Sequence, residues 1–183
     1  MESRYHSIAL AGNPKAGKST LLQLLKQALP DWEVRSVGDY LRQRHRKERS
    51  DITFEEYYKN VVKLEDLVIV NNELAERVEK GRIIADTRYV KPFGERVLKL
   101  FLTAPLDVRA KRSLHAYQGK TLEEVKEILA QREMDEMEKG RLLWGKDHVY
   151  TDLKHYHPHG IIDSSKLTPE QERDLILRFV KGE

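Results

Sequence analysis

The sequence predicts an α/β fold, with a mostly parallel sheet covered by helices on both faces. Short apolar runs alternate with segments of helical spacing along the whole chain, the pattern that βα units produce. A glycine-bracketed loop, GNPKAGKST over residues 12–20, separates the first apolar run from the first helical segment. Threonine–glutamate pairs three residues apart mark where later helices start.

Taken in order, Tyr5 to Ala11 is an apolar run stopped by Gly12 and reads as the first strand. From Lys18 to Leu29, apolar residues at Leu21, Leu22, Leu24, Leu25 and Ala28 give a helix, which Pro30-Asp31 ends. Trp32 to Val37 is a second short strand, and Gly38 to Arg49 a basic helix. Thr53 with Glu56 makes a capping box, and helical character runs on from there, with a break, to Lys80-Gly81. RIIAD (82–86) is a third strand ending in a carboxylate, and VLKLFLTA (97–104) a fourth, followed by Pro105 and a helix. Thr121 and Glu124 open another helix, GIIDSS (160–165) is a short fifth strand, and LTPEQERDLILRFV is a closing amphipathic helix.

A chain of 183 residues forms one domain with a sizeable core. Charged residues make up 34% but the net charge is only +3, so the surface is heavily solvated and long-range attraction to nucleic acid is weak. There is no cysteine, hence no disulfide frame and no thiolate metal site. No stretch reaches the roughly 20 apolar residues of a membrane span, and the N-terminus shows no cleavable signal pattern. A soluble, cytoplasmic, monomeric protein is the expectation.

Gly12, Gly17, Lys18 and Ser19 fit G-x-x-x-x-G-K-[ST], with the strand before and the helix after that this motif needs. Glycines let the backbone wrap phosphate oxygens, and successive N–H groups at a helix N-terminus point at the anion. Lysine neutralises the transferable phosphates, and the serine hydroxyl can sit on Mg²⁺. Gly12, Asn13, Pro14, Lys15, Ala16, Gly17, Lys18, Ser19 and Thr20 are the expected triphosphate cradle of a P-loop NTPase, with ATP and Mg²⁺ as cofactors. The side chain of Lys15 has two readings, one facing solvent and one adding charge near the phosphates.

No N-K-x-D guanine motif is present, which argues against a GTPase switch, and the chain is short for a motor domain. A small kinase must instead shield the moving phosphoryl group with an arginine-bearing lid and hold its acceptor in a second pocket. Cations do occur after successive strands: Arg42 after strand two, Arg88 after strand three, Arg109 and Arg112 after strand four, and Arg132, Lys139 and Arg141 later. Any one of them alone reads as a solvated surface charge; together they suggest convergence on one phosphate chain.

GNPKAGKST, SVGDYLR (36–42), LAERVEKGRIIADTR (74–88), LKLFLTAPLDVRAKR (98–112), QREMDEMEKGRLLWG (131–145) and IIDSSKLTPEQ (161–171) together resemble the short archaeal type of cytidylate kinase, among the nucleoside monophosphate kinases. The resemblance implies a five-stranded parallel sheet in the order 2-3-1-4-5, an acceptor-binding insert over about 38–80 and a lid over about 115–150. It implies ATP-dependent phosphorylation of CMP or dCMP. Arg42 and Arg88 would grip the acceptor phosphate, with Gly38, Asp39 and Asn71 beside it. Arg132, Lys139 and Arg141 would close over the transferring group. Arg109 and Arg112 would serve ATP, Arg112 near its base. Asp86 would join Ser19 in holding Mg²⁺ through water. Asp39 and Asp86 read equally well as a helix cap or an ion-pair partner. Thr87 stands where the family usually has glycine, Asn71 where it has a carboxylate, and Lys139 where arginine is common.

Other acceptors of a P-loop kinase remain open, as does a catalytically weak nucleotide-binding protein that engages RNA through RQRHRKER (42–49). For that basic run a solvated face lining an anionic pocket is the preferred reading. His155, His157 and His159 alternate in a segment interrupted by Pro158, and read as a polar loop before a metal site. Trp32 and Trp144 read as packing residues.

Overall fold

The computed structural model describes residues 4–87, 93–144 and 158–182. Its sheet has five strands, β1 (Ser7–Gly12), β2 (Glu33–Ser36), β3 (Ile83–Asp86), β4 (Val97–Thr103) and β5 (Gly160–Asp163). They are parallel and ordered β2-β3-β1-β4-β5, as the resemblance implied. Ile8 and Leu10 point to one face, Ala9 and Ala11 to the other, and each set joins its own core cluster. Both faces are therefore covered, as a parallel sheet requires.

Helices α1 (Lys18–Ala28) and α7 (Pro169–Lys181) cover the face of Ile8, Leu10, Ile84 and Leu100, adding Leu21, Leu25, Ile176 and Val180. Trp32 packs against this cluster at its edge. On the other face lie α2 (Val37–Glu48) and α4 (Leu64–Lys80), which add Val37, Leu41, Val70, Leu74 and Val78. Between them, α3 (Phe54–Asn60) starts at the expected capping box of Thr53 and Glu56. The break before α4 has a cause: the Asp66 carboxylate accepts the Lys63 N–H at 3.0 Å and starts a new helix there.

After β4, α5 (Leu106–Ser113) and a 3-10 turn (Leu114–Ala116) lead to α6 (Leu122–Trp144). Thr121 and Glu124 cap α6 reciprocally, and Ala110, Val125 and Leu129 pack it on α5. The expected lid thus falls largely on one helix of 23 residues, about 34 Å long. Among the described residues, no helix is long and apolar enough to cross a membrane.

Candidate active site

All five strands run the same way, so the loops that follow them gather at one edge of the sheet, where ligands of such sheets bind. There a cavity of about 990 Å³ opens, the upper end of the range for small-molecule sites and large enough for a nucleotide with an acceptor beside it.

The loop after β1 forms its floor. Gly12 has φ 152°, and a Cβ there would lie 2.1 Å from the Leu102 carbonyl oxygen, so no side chain fits. Gly17, at φ 105°, directly precedes α1. Lys15 adopts φ 63°, a left-handed conformation that costs an ordinary residue about 1–2 kcal/mol. Its ammonium lies 5.9 Å from the centre of the Tyr117 ring, and it lines the cavity rather than leaving it. The Lys18 ammonium donates to the Gly12 carbonyl at 2.7 Å and to that of Asn13 at 3.3 Å, spanning the loop. Pro14, Gly17, Ser19 and Thr20 complete this wall.

The neighbouring strands bring the other groups. Gly38, Asp39 and Arg42 line the cavity from the start of α2. The Ser36 hydroxyl caps that helix by accepting the Asp39 N–H, and Arg42 pairs with Asp39 at 2.8 Å. Asp86 enters from the end of β3, with Oδ1 buried and unpartnered. Arg112 lines the wall nearer β5, where it donates to the Ser164 hydroxyl at 2.8 Å and carbonyl at 2.6 Å. Arg132 reaches in from α6, paired at 2.9 Å with the buried Glu136. Behind Arg112, Glu172 is 3% exposed. Burial pushes its carboxyl up to about 7, against the opposing pull of the Arg112 charge.

Ser19 and Asp86 face one cavity, and the orphaned buried oxygen of Asp86 is the kind of group a hydrated cation satisfies. Among the described residues, no group of at least three His, Asp or Glu could cage a metal. That donor set fits Mg²⁺ carried by phosphates, which uses few protein ligands and keeps its waters.

Several expected side chains lie elsewhere. Arg109 is buried behind the phosphate loop, donating to the carbonyls of Ala104 and Pro14 and to Glu133, and does not line the cavity. Asn71 is buried in α4 and turns its amide back to the Leu67 carbonyl at 2.7 Å, so it too is away from the cavity. Lys139 lies 4.0 Å over the ring of Tyr58 in α3, and Arg141 pairs with Glu138 at the surface. Gly12, Asn13 and Ala16 do not line the cavity either; Ala16 is in the core, and the Asn13 side chain bonds Thr103 and Glu133. Arg88, His155 and His157 and the Trp144 side chain lie outside the described residues. His159 accepts the Lys99 N–H through Nδ1 at 3.0 Å.

Sequence reasoning missed His115 and Glu136, which line the cavity, and Glu133, which braces it. His115 stands three residues beyond Arg112, a spacing that could have pointed to it.

The family model that matches is that of an AAA domain, and it matches residues 8–138, well over half of the chain. The chain belongs to the AAA domain family. No curated protein sequence matches it. Solved structures similar to this AAA domain include an uncharacterized protein from Eubacterium ventriosum (13% identity, TM-score 0.64, covering 97% of this chain and 99% of that one). Shikimate kinase from Acinetobacter baumannii in complex with shikimate is 16% identical, with a TM-score of 0.61 over 96% of this chain and 93% of that one. The YorR protein of Bacillus subtilis, in complex with phosphorylated GDP, is 17% identical, with a TM-score of 0.53 over 95% of both chains. At such identities the likeness is one of fold, that of the P-loop kinases.

Proposed function

We propose that this AAA domain protein is a phosphotransferase that moves the terminal phosphoryl group of ATP to a nucleoside monophosphate, CMP or dCMP in particular, as a cytoplasmic monomer. The observation that supports it best is convergence: Lys15, Lys18, Arg42, Arg112 and Arg132, from four separated segments, line one cavity over the phosphate loop.

In this reading Lys18 and Lys15 bind the phosphates of ATP, and the loop's main chain cradles them. Arg112, fixed on Ser164, offers a planar cation on the base side. Arg42 grips the acceptor phosphate, with Arg88 as its partner from the segment after Asp86. Arg132 faces the charge that builds on the moving group. Ser19 and Asp86 would hold Mg²⁺, which when bound neutralises phosphate charge. An acceptor phosphate is already anionic near neutral pH, so no side chain has to remove a proton. Lys139 and Arg141 serve the reaction only if α6 shifts to free them from Tyr58 and Glu138.

A second acceptor class has its own support. Asn71, placed by the resemblance beside the acceptor, faces its own helix, and one similar structure holds shikimate. The RNA reading is weakened because the basic run is largely paired internally: Arg42 with Asp39, Arg44 with Glu48 and Asp66, Arg49 with Asp51.

A coupled ADP-release assay across CMP, dCMP, UMP, AMP, GMP, shikimate and simple sugars tests the proposal. The expected result is a kcat/KM for CMP or dCMP at least about tenfold above the others, roughly one pocket contact. A faster non-nucleotide acceptor would replace the nucleotide reading. No ADP with any acceptor, together with RNA binding that falls steeply with salt, would reject both.

A further inference from the structure

A polar cluster behind the phosphate loop is not absorbed by that reading. Along α6, Leu122, Val125 and Leu129 make an apolar stripe against α5. One turn further, where the helix passes the phosphate loop, the stripe continues as Glu133, whose side chain is only 20% exposed. Its Oε1 accepts from Asn13 Nδ2 at 2.8 Å and from Arg109 Nη1 at 2.7 Å. Arg109 is 5% exposed in its side chain and also donates to the Pro14 carbonyl at 3.1 Å. Asn13 accepts from the Thr103 hydroxyl at 2.8 Å, while its main-chain N–H donates to the Leu102 carbonyl. One carboxylate oxygen on α6 thus holds both a loop side chain and the guanidinium that holds the loop's main chain.

We propose that Glu133 is a positioning residue that locks the phosphate loop to α6, so that the shape of the loop and the placement of Arg132 are set together. The idea rests on the reading of the loop as an ATP site. Glu133 does not line the cavity; it acts through Asn13 and Arg109. Its neighbour Arg132 does line it, so a shift of α6 that moves Arg132 also pulls on Asn13 and Pro14. Partly buried charge-assisted bonds of this length restrict geometry. Carboxylate charge and carboxylate reach are separable requirements here. The charge neutralises buried Arg109 even from a little further away, and the reach brings Oε1 into contact with Asn13 and Arg109.

Two substitutions separate those requirements. Glu133→Gln keeps reach and loses charge; Glu133→Asp keeps charge and loses reach. The dissociation constant of Mg·ATP, measured by isothermal titration calorimetry without an acceptor, is the readout, with thermal unfolding recorded alongside. Glu133→Gln should melt earlier yet bind Mg·ATP within about threefold of the wild type. Glu133→Asp should hold its melting temperature better yet bind about tenfold more weakly, the size of a coupling between neighbouring residues. Asn13→Ala should weaken binding by a similar factor, and adding Glu133→Asp to it should weaken binding no further. Wild-type affinity in a folded Glu133→Asp protein would overturn the proposal. So would losses that multiply in the double variant, and that cycle holds whether or not Glu133→Gln folds. A wild-type protein that binds no Mg·ATP would overturn the ATP reading and this proposal together. A wild type that binds it but phosphorylates no acceptor would sink only the acceptor half of that reading.

Discussion

The phosphate loop and the α2 to α4 segment, which we propose as an acceptor-side insert, are held by different physics. In the loop, main-chain geometry dominates: Gly12 sits where no Cβ fits, Lys18 bonds loop carbonyls, the loop's own Asn13 accepts from Thr103, and Arg109 donates to the Pro14 carbonyl from behind. In the insert, apolar packing of Val37, Leu41, Val70 and Leu74 on the sheet is joined by side-chain charge between the helices. Arg44 of α2 pairs with Glu48 and crosses to Asp66 of α4 at 2.9 Å, and Glu48 accepts the hydroxyl of the fully buried Tyr57 at 2.9 Å. Burial, with Glu48 as acceptor, pushes that phenol up to about 12. A site for an invariant group such as a triphosphate can be built from backbone. A pocket that must suit one acceptor is more readily built from exchangeable side chains.

The largest effect should come from the loop. Gly12→Ala must displace backbone of β4, and denaturant unfolding should show a loss of about 3 kcal/mol or more. A variant as stable as the wild type would mean that the loop has slack.

Next is Glu172, under the Arg112 wall. A carboxyl raised to about 7 in the fold binds its proton more tightly there than in the unfolded chain. Its contribution is complete below about pH 4.5, its ordinary value, and is lost as pH rises toward about 7. Glu172→Gln should therefore raise stability by about 2 kcal/mol at pH 8 and do little at pH 4. Parallel melting curves of both proteins across that range are the check.

In the insert, Arg44→Met leaves Glu48 and Asp66 without their partner and should cost about 1–2 kcal/mol. The comparison sharpens if KM rises for the acceptor alone while that for ATP stays within twofold. Equal changes in both would mean that the two regions are not separate. The smallest effect is at Lys15. Lys15→Gly removes the left-handed strain and should stabilise the fold by about 1 kcal/mol, while weakening Mg·ATP binding severalfold. A gain in stability with unchanged affinity would assign Lys15 to solvent.

How much of this was legible follows the same division. Gly12, Gly17, Lys18 and Ser19 were readable because backbone demands leave few residue choices. The starts of α3 and α6 were readable because Thr53–Glu56 and Thr121–Glu124 cap locally. Arg109 was expected at the nucleotide and lies behind the loop, because helical spacing gives a side chain's face but not what the fold brings against it. Asn71 was placed by resemblance, yet its amide found a carbonyl one turn back. Lys139 reads as a lid cation in the sequence, and the long α6 instead lays it on Tyr58. Glu133 gives no signal in the sequence, because a carboxylate in REMDEMEK looks like solvated surface; only the crossing of α6 over the loop makes it partly buried.

Whether the protein moves a phosphoryl group from ATP is decided by Lys18→Ala, assayed for ADP formation with the best acceptor from the screen at saturating ATP. A folded variant, verified by its unfolding curve, should turn over about 10²–10³-fold more slowly than the wild type, as when one electrostatic stabiliser of the transition state is removed. Turnover equal to that of the wild type would mean that Lys18 does not act on a transferred phosphoryl group.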